Sequence, residues 1–352
     1  MKTKFGSFCE VGVAEGCKYC VKGEKLVLFL GGKCSRNCWY CSLSDNRKKS
    51  NEVSANERPV KKNKDLIDEI IVSHSRGAGI TGGDPLVYFS RTIRFAKLMK
   101  KKFGKNFHIH VYLPLNLVTE RKLKKLSKCI DEVRFHPTFL VDNSEKLLKE
   151  EKEKIKMASK IFGKANTGIE VPMIPSKKEE IYNFAYDLRD YLGFVNLNEF
   201  EISETNFNIV TKKYSLNEDT CTIYGSQKAG KWILAKAKKN KLKLKFHLCT
   251  AKTKDYYQYN NRLSKHDILP FGKKLNNGNV LYFVVMDNSA ETIKEISKFT
   301  KKFFNDKERK RILIDMDKVL DVYDNTDLKI ARVEEQPVWG NERVELSWIG
   351  ED

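Results

Sequence analysis

The segment Lys25–Cys41, KLVLFLGGKCSRNCWYC, decides the fold, because an apolar run leads directly into a cluster of cysteines. The run Leu26–Leu30 predicts a buried strand. Cys34, Cys38 and Cys41 lie within eight residues on the loop that leaves this strand, and three thiols so close together indicate a metal or cluster site. Neither a His nor a fourth Cys follows at zinc-finger spacing, so the pattern is typical of a catalytic centre with one open ligand position.

The spacing C-x-x-x-C-x-x-C, with the aromatic Tyr40 before the last Cys, resembles the signature of the radical S-adenosylmethionine (SAM) superfamily. The resemblance implies that Cys34, Cys38 and Cys41 each ligate one iron of a [4Fe–4S] cluster, while SAM binds the fourth iron. It also implies that Tyr40 lies against the adenine and that a ferredoxin or flavodoxin type of protein donates electrons. Within the superfamily, the sequence most resembles the archaeal branch related to pyruvate formate-lyase activating enzymes.

A second motif, Ile80-Thr-Gly-Gly-Asp-Pro-Leu86, follows the next predicted strand. The glycines Gly82 and Gly83 allow the backbone to approach a ligand closely. The motif resembles the G-G-E-P segment of the same superfamily, which meets the amino group of SAM. Asp84 stands where Glu is usual, so the expected contact from the backbone is better supported than the contact from this side chain.

The residues before the first strand carry Cys9, Cys17 and Cys20. Two of these thiols have the C-x-x-C spacing, which predicts an auxiliary iron–sulfur cluster or a zinc ion that takes a fourth ligand from elsewhere. Cys249 is favoured as that ligand over His247, because closure of a barrel brings the last strand beside the first. The alternative is a segment that binds no metal.

Alternating apolar runs and amphipathic stretches predict βαβ units between residues 25 and 250. Seven strands are expected, at residues 26–30, 79–81, 107–113, 132–135, 168–172, 198–202 and 242–248. They predict an α/β fold with a partial or near-complete (β/α) TIM-type barrel, whose functional residues lie at the carboxyl ends of the strands. The expected domains are a leader at 1–24, the barrel at 25–250, a linker at 251–278 and a small α+β domain at 279–352.

Composition limits the class of protein. The 66 Lys and Arg residues exceed the 46 Asp and Glu residues and give a net charge of +20, which favours RNA or another polyanion as a partner. Solvated helix faces with interleaved Lys and Glu also produce such a composition. Nine cysteines in short spacings, without a signal peptide or an apolar run of membrane-spanning length, predict a cytoplasmic protein with reduced thiols and no membrane association.

Polar residues at predicted strand ends are further candidates for the site. Arg134 and Glu204 are expected to contact SAM or the substrate, although pairing between strands would also explain them. The sequence therefore predicts a radical SAM enzyme that forms a 5′-deoxyadenosyl radical and abstracts hydrogen from an RNA or protein substrate. The alternative is a non-catalytic iron–sulfur or zinc protein that binds RNA.

Overall fold

The computed structural model describes residues 1–142, 144–218, 220–340 and 342–351, and the chain divides into two units. The first unit comprises Met1–Ile71 and Ser75–Tyr259. The second comprises Val72–His74 and Asn260–Asp352. Within the described ranges, no helix combines the length and apolar character that crossing a membrane requires.

A ten-stranded sheet forms the first unit. Its strands are β1 Phe8–Glu10, β2 Lys25–Phe29, β3 Ser54–Ala55, β4 Arg58–Pro59, β5 Gly77–Thr81, β6 His108–Pro114, β7 Glu132–His136, β8 Thr167–Met173, β9 Phe194–Glu199 and β10 Lys245–Cys249. Seven of them run parallel in the order β2-β5-β6-β7-β8-β9-β10. In the described chain no ladder joins β2 to β10, so the barrel is open. Its two edges are covered by β1, antiparallel to β10, and by β3, antiparallel to β2.

Helices connect these strands, as expected where each parallel pair needs a crossover. They are α1 Glu15–Cys20, α2 Asp45–Lys49, α3 Asn63–Val72, α4 Phe89–Phe103, α5 Glu120–Leu126, α6 Glu145–Phe162, α7 Lys178–Asp187, α8 Phe207–Val210 and α9 Ser226–Lys239. Ser44 and Thr119 cap α2 and α5 with side-chain oxygens that accept a hydrogen bond from a first-turn amide.

The parallel strands alternate between apolar and polar residues. On β7, Val133 and Phe135 are fully buried in the apolar core, whereas Arg134 and His136 line a cavity inside the barrel. Asn196 and Asn198 of β9 also line this cavity. Because side chains alternate across a strand, the helices cover an apolar outer face and the interior stays polar. The barrel therefore contains a lined cavity rather than a packed apolar centre.

The second unit is α+β. It consists of α10 Tyr259–Lys265, β11 Lys273–Lys274, β12 Val280–Val285, α11 Ala290–Phe299, β13 Phe303–Asp306, β14 Arg311–Ile314, α12 Val319–Tyr323, β15 Ile330–Glu335 and β16 Arg343–Trp348. The antiparallel sheet has the order β13-β14-β12-β15-β16, and β11 pairs with β12. Arg311, the first residue of β14, is buried and pairs with Asp306 and Glu335.

The predicted α/β class with a partial TIM-type barrel is confirmed. The sixth strand was predicted at residues 198–202 and is wrong by about four residues, because β9 spans Phe194–Glu199. Its inward Asn196 and Asn198 interrupt the apolar run, and polar and apolar residues continue to alternate after Glu199. Residues 251–278, expected as a linker, contain a π-helical turn at Thr253–Gln258 and then α10.

Candidate active site

The cysteine loop after β2 is anchored by Arg36. Its guanidinium donates to the Oδ1 atom of Asn116 at 2.6 Å, to the backbone carbonyl of His136, and to Glu151 at 2.6 Å. Both side chains of the Arg36–Glu151 pair are nearly inaccessible to solvent. Breaking a buried pair of this kind costs about 3–5 kcal/mol, since one charge remains uncompensated. The pair therefore fixes the loop against the carboxyl ends of β6 and β7.

Tyr40 is fixed by His136. The Nδ1 atom of His136 lies 3.0 Å from the Glu170 carbonyl, which can only accept, so Nδ1 carries the proton. Burial lowers the pKa of His136 to about 4, and Arg36 acts in the same direction, so the ring is neutral. The Nε2 atom then accepts a hydrogen bond from the Tyr40 hydroxyl, with 2.8 Å between the nitrogen and the oxygen. The Tyr40 ring is thereby held as one wall of the cavity.

The Gly82-Gly83 turn packs against the residues that precede Cys34. A Cβ atom on Gly83 would lie 2.3 Å from the carbonyl oxygens of both Gly32 and Lys33. Gly82 has a φ of +146°, and its Cβ would lie 2.6 Å from the Gly31 carbonyl oxygen. Glycine is required here because any side chain would push the two loops apart.

Asp84 holds the cysteine loop from behind. It is fully buried, and its carboxylate accepts hydrogen bonds from the Ser35 hydroxyl at 2.6 Å and from the Leu86 amide at 2.8 Å. Asp84 is not among the residues that line the cavity. Its observed contacts are therefore with the protein, and the predicted contact with SAM stays a prediction.

A cavity of about 430 Å³ lies between the cysteine loop and the interior of the barrel. Its lining includes many of the residues that the sequence singles out: Cys34, Cys38, Cys41, Tyr40, Gly82, Gly83, Arg134, Cys17, Cys20 and Cys249. Three predicted residues are not part of the lining. Asp84 lies behind the loop, Glu204 is exposed, and Cys9 lies on the edge strand β1.

The leader helix α1 closes the amino-terminal end of the barrel. The Gly16 amide donates to Glu132 at 3.1 Å, and a Cβ atom on Gly16 would lie 2.5 Å from Arg134 and 2.6 Å from His110. A side chain at this position would have to displace Arg134 and His110. The helix therefore forms the floor of the cavity and presents Cys17 and Cys20 to it.

Arg134 is the central charge of this floor. It is 2% exposed and pairs with Glu132 at 2.5 Å and with Glu170 at 2.8 Å. Although burial opposes the charge, Glu132, Cys17 and Glu170 hold the pKa of Arg134 well above its usual range. The guanidinium is thus already paired with the carboxylates of Glu132 and Glu170. The expectation that it binds SAM stays a prediction.

Several further lining residues were not identified from the sequence. Arg36 lies inside the cysteine motif, where its spacing gives no sign of the three partners it reaches. Asn196, Asn198 and Tyr112 line the cavity because they lie at inward positions of β9 and β6. Polar residues at alternate positions of otherwise apolar strands are the signal that would have found them.

No group of three Cys, His, Asp or Glu side chains in the described residues is spaced to hold a single metal ion. Two thiolates on one zinc ion, each about 2.3 Å from it, must lie about 4 Å apart. A cluster relaxes this requirement because each thiolate binds a different iron. The thiols of the cysteine loop therefore need not converge on one point in order to bind a cluster.

Comparisons with known proteins agree with this geometry. Residues 28–185 match the family described as the radical SAM superfamily. A protein of Methanocaldococcus jannaschii, provisionally named a glycyl-radical enzyme activating enzyme, is 34% identical over 291 residues, which are 80% of this chain and 76% of that protein.

Two solved structures are more distant. The structure of anSMEcpe with bound AdoMet and the Cp18Cys peptide is 12% identical over 71% of this chain and 68% of that chain, with a TM-score of 0.37. The radical SAM methyltransferase TsrM of Kitasatospora setae, with tryptophan and a SAM analogue, is 11% identical over 56% of this chain, with a TM-score of 0.37. The match spans only 40% of TsrM. The family match and the 34% identity to the archaeal relative carry the assignment, and the chain belongs to the radical SAM superfamily of enzymes.

Proposed function

We propose that this protein cleaves SAM reductively and uses the resulting radical to abstract hydrogen from a protein substrate. The observation that carries the proposal is that Cys34, Cys38 and Cys41 open onto the same cavity as Gly82 and Gly83. Three soft thiol ligands on one loop suit a [4Fe–4S] cluster, and a cluster with three protein ligands leaves one iron for SAM. The residues present fit this group.

When bound, the reduced cluster supplies the electron that breaks a carbon–sulfur bond of SAM, giving methionine and a 5′-deoxyadenosyl radical. The remaining contributions come from the chain. Arg36 holds the cysteine loop against Glu151, and Asp84 holds it through Ser35. Gly82 and Gly83 leave backbone atoms free of side chains beside the cavity. Tyr40, fixed by His136, offers a ring against which an adenine can lie.

The relative's name supports a protein as the substrate, because a glycyl-radical enzyme activating enzyme acts on another enzyme. The radical would take a hydrogen atom from the partner's backbone and leave as 5′-deoxyadenosine. A small redox protein of the ferredoxin or flavodoxin type would supply the electron. The contacts of the floor residues indicate that the substrate segment enters from the rim, since α1 occupies the opposite end.

The experiment is anaerobic reconstitution with iron and sulfide, followed by dithionite and SAM. We expect 5′-deoxyadenosine and methionine in equal amounts. Changing Cys34, Cys38 or Cys41 to Ala should abolish both products, whereas Cys221→Ser, an exposed cysteine outside the cavity, should leave them unchanged. A fully loaded, reducible cluster that neither shifts its spectrum with SAM nor cleaves SAM would refute the proposal.

A further inference from the structure

We propose that the cavity holds a second iron–sulfur cluster between its floor and β10, ligated by Cys17, Cys20, Cys249 and His247. None of these residues belongs to the cysteine loop after β2. The proposal concerns a metal centre that does not depend on SAM cleavage, so it stands or falls independently of the proposed function.

The thiols come from two distant parts of the chain, α1 and the end of β10, and line one cavity. Cys17 and Cys20 are three residues apart on α1, so they lie on the same side of that helix. Cys249 is the last residue of β10, which pairs with β9 and β1. All three line the cavity whose opposite wall carries the cysteine loop.

Two of the sulfur atoms already have the hydrogen-bond donors that metal-bound thiolates take. The Sγ atom of Cys17 accepts hydrogen bonds from Nη2 of Arg134 at 3.6 Å and from Nδ2 of Asn196 at 3.4 Å. The Sγ atom of Cys249 accepts a hydrogen bond from Nε2 of Gln258 at 3.7 Å. A thiol is a weak acceptor, whereas hydrogen bonds to cluster sulfurs are a main determinant of cluster potential. Each of these two sulfur atoms therefore has at least one donor directed at it.

His247 supplies the observation that points to a ligand. Its side chain is 2% exposed and lines the cavity, yet neither ring nitrogen has a hydrogen-bond partner among the described residues. Leaving a buried polar group without a partner costs about 1–3 kcal/mol. Since His247 lies two residues before Cys249, both side chains project from the same face of β10. An iron bound to one ring nitrogen would satisfy that nitrogen and so remove part of this cost.

His247 is a better fourth ligand than Cys9. Cys9 is the cross-strand neighbour of His247 in the β1–β10 ladder, but it is not among the cavity-lining residues. No group of three Cys, His, Asp or Glu side chains in the described residues converges on a site for a single ion, and a cluster does not need this convergence because each ligand binds a different iron. A cluster with three Cys ligands and one His ligand meets both observations.

The experiment removes the catalytic ligands first. The full chain with Cys34, Cys38 and Cys41 all changed to Ala is reconstituted anaerobically with ferrous iron and sulfide. Iron, acid-labile sulfide and zinc are then measured, and the iron is examined by Mössbauer spectroscopy. We expect this variant to retain about two to four irons per chain with matching sulfide.

Further substitutions in that background identify the ligands. Cys17→Ser with Cys20→Ser should remove the remaining iron, and Cys249→Ser should reduce it. His247→Ala should reduce the iron or change its Mössbauer spectrum, and His247→Cys should restore the bound iron. Cys9→Ser and Cys221→Ser are matched controls that should retain the iron. Circular dichroism and the urea midpoint of each variant show whether it is folded.

The proposal fails if the triple variant is folded but binds no iron, or if it binds zinc in place of iron. It also fails if the folded Cys17/Cys20 double variant in that background retains all of its iron. Loss of iron with Cys9→Ser, and not with His247→Ala, would overturn the assignment of His247. SAM cleavage by the unmodified chain is measured separately, so failure of the second centre and failure of the proposed function are distinguishable.

Discussion

Asp84 lies in a motif that predicts a contact with SAM, yet its observed role is to brace the cysteine loop, that is, to hold it in place through hydrogen bonds. Its carboxylate is buried and accepts from Ser35 and Leu86. Asp84→Ala leaves both donors unpaired and should reduce the free energy of unfolding by about 2–3 kcal/mol. Ser35→Ala removes one bond only and should cost about 1 kcal/mol. Urea denaturation measures both changes.

Measurement of SAM binding separates the two roles of Asp84. If Asp84 is a brace, Ser35→Ala and Asp84→Ala should weaken SAM binding in proportion to their losses of stability. An Asp84→Ala variant with an unchanged urea midpoint and weakened SAM binding would contradict this role and indicate direct contact with SAM.

Arg311 in the second unit is a buried cation with two carboxylate partners. Its guanidinium lies 2.5 Å from Glu335 and 2.9 Å from Asp306, and the residue is 2% exposed. Arg311→Ala should cost about 3–5 kcal/mol, because buried Asp306 loses its charged partner and buried Glu335 keeps only Arg309 among the described residues. Thermal unfolding monitored by circular dichroism measures the loss.

The control for Arg311 is an exposed pair in the same sheet. Arg332 lies 3.3 Å from Glu345, and both side chains are well exposed. Arg332→Ala should change stability by less than about 1 kcal/mol. Equal losses for Arg311→Ala and Arg332→Ala would show that burial of the network contributes nothing.

At the scale of elements, α1 depends on a glycine that helix propensity disfavours. Gly16→Ala should stabilise an isolated helix by about 1 kcal/mol. In this protein the new Cβ would meet Arg134 and His110, so we expect a net loss of about 1–3 kcal/mol. Urea denaturation measures it, and tryptic cleavage at Lys18 should become faster as α1 leaves the floor.

Glu15→Ala is the matched control in α1. Glu15 is exposed, and its substitution should change stability by no more than about 0.5 kcal/mol. A higher urea midpoint for Gly16→Ala than for the unmodified chain would mean that α1 does not pack this closely on Arg134.

The elements were predictable where a regular pattern governs them. Apolar runs located β2, β6 and β8 to within about two residues. The strand β9 was misplaced because polar and apolar residues continue to alternate beyond its end, as far as Ile202. Alternation alone therefore does not show which part of this stretch forms the strand.

For the whole molecule, the net charge of +20 predicts binding to polyanions. We expect single-stranded RNA to bind at about 50 mM salt and to dissociate by about 200 mM, as counterion release requires. Fluorescence anisotropy measures this binding. The rate of SAM cleavage should not change when RNA is added, because we propose a protein substrate. RNA binding that resists salt and accelerates SAM cleavage would contradict this and favour an RNA substrate.

The site was predictable only where its residues are close in sequence. The cysteine loop and the Gly82-Gly83 turn carry local spacings that can be recognised in one chain. The meeting of Cys17 with Arg134 and Asn196 depends on three segments far apart in sequence, and no local pattern encodes it. For the same reason, only the folded structure shows that the ring nitrogens of His247 have no hydrogen-bond partner among the described residues.

The pairing of β1 with β10 has a consequence for synthesis. Phe8 is opposite Leu248, so residues at the start of the chain wait for a strand made about 240 residues later. At about 5–20 residues per second, the ribosome needs roughly 10–50 s to produce it. Gly82 and Gly83 emerge much sooner after Cys34. The contacts of the cysteine loop can therefore form earlier, whereas the pairing of β1 with β10 waits until translation has passed Cys249.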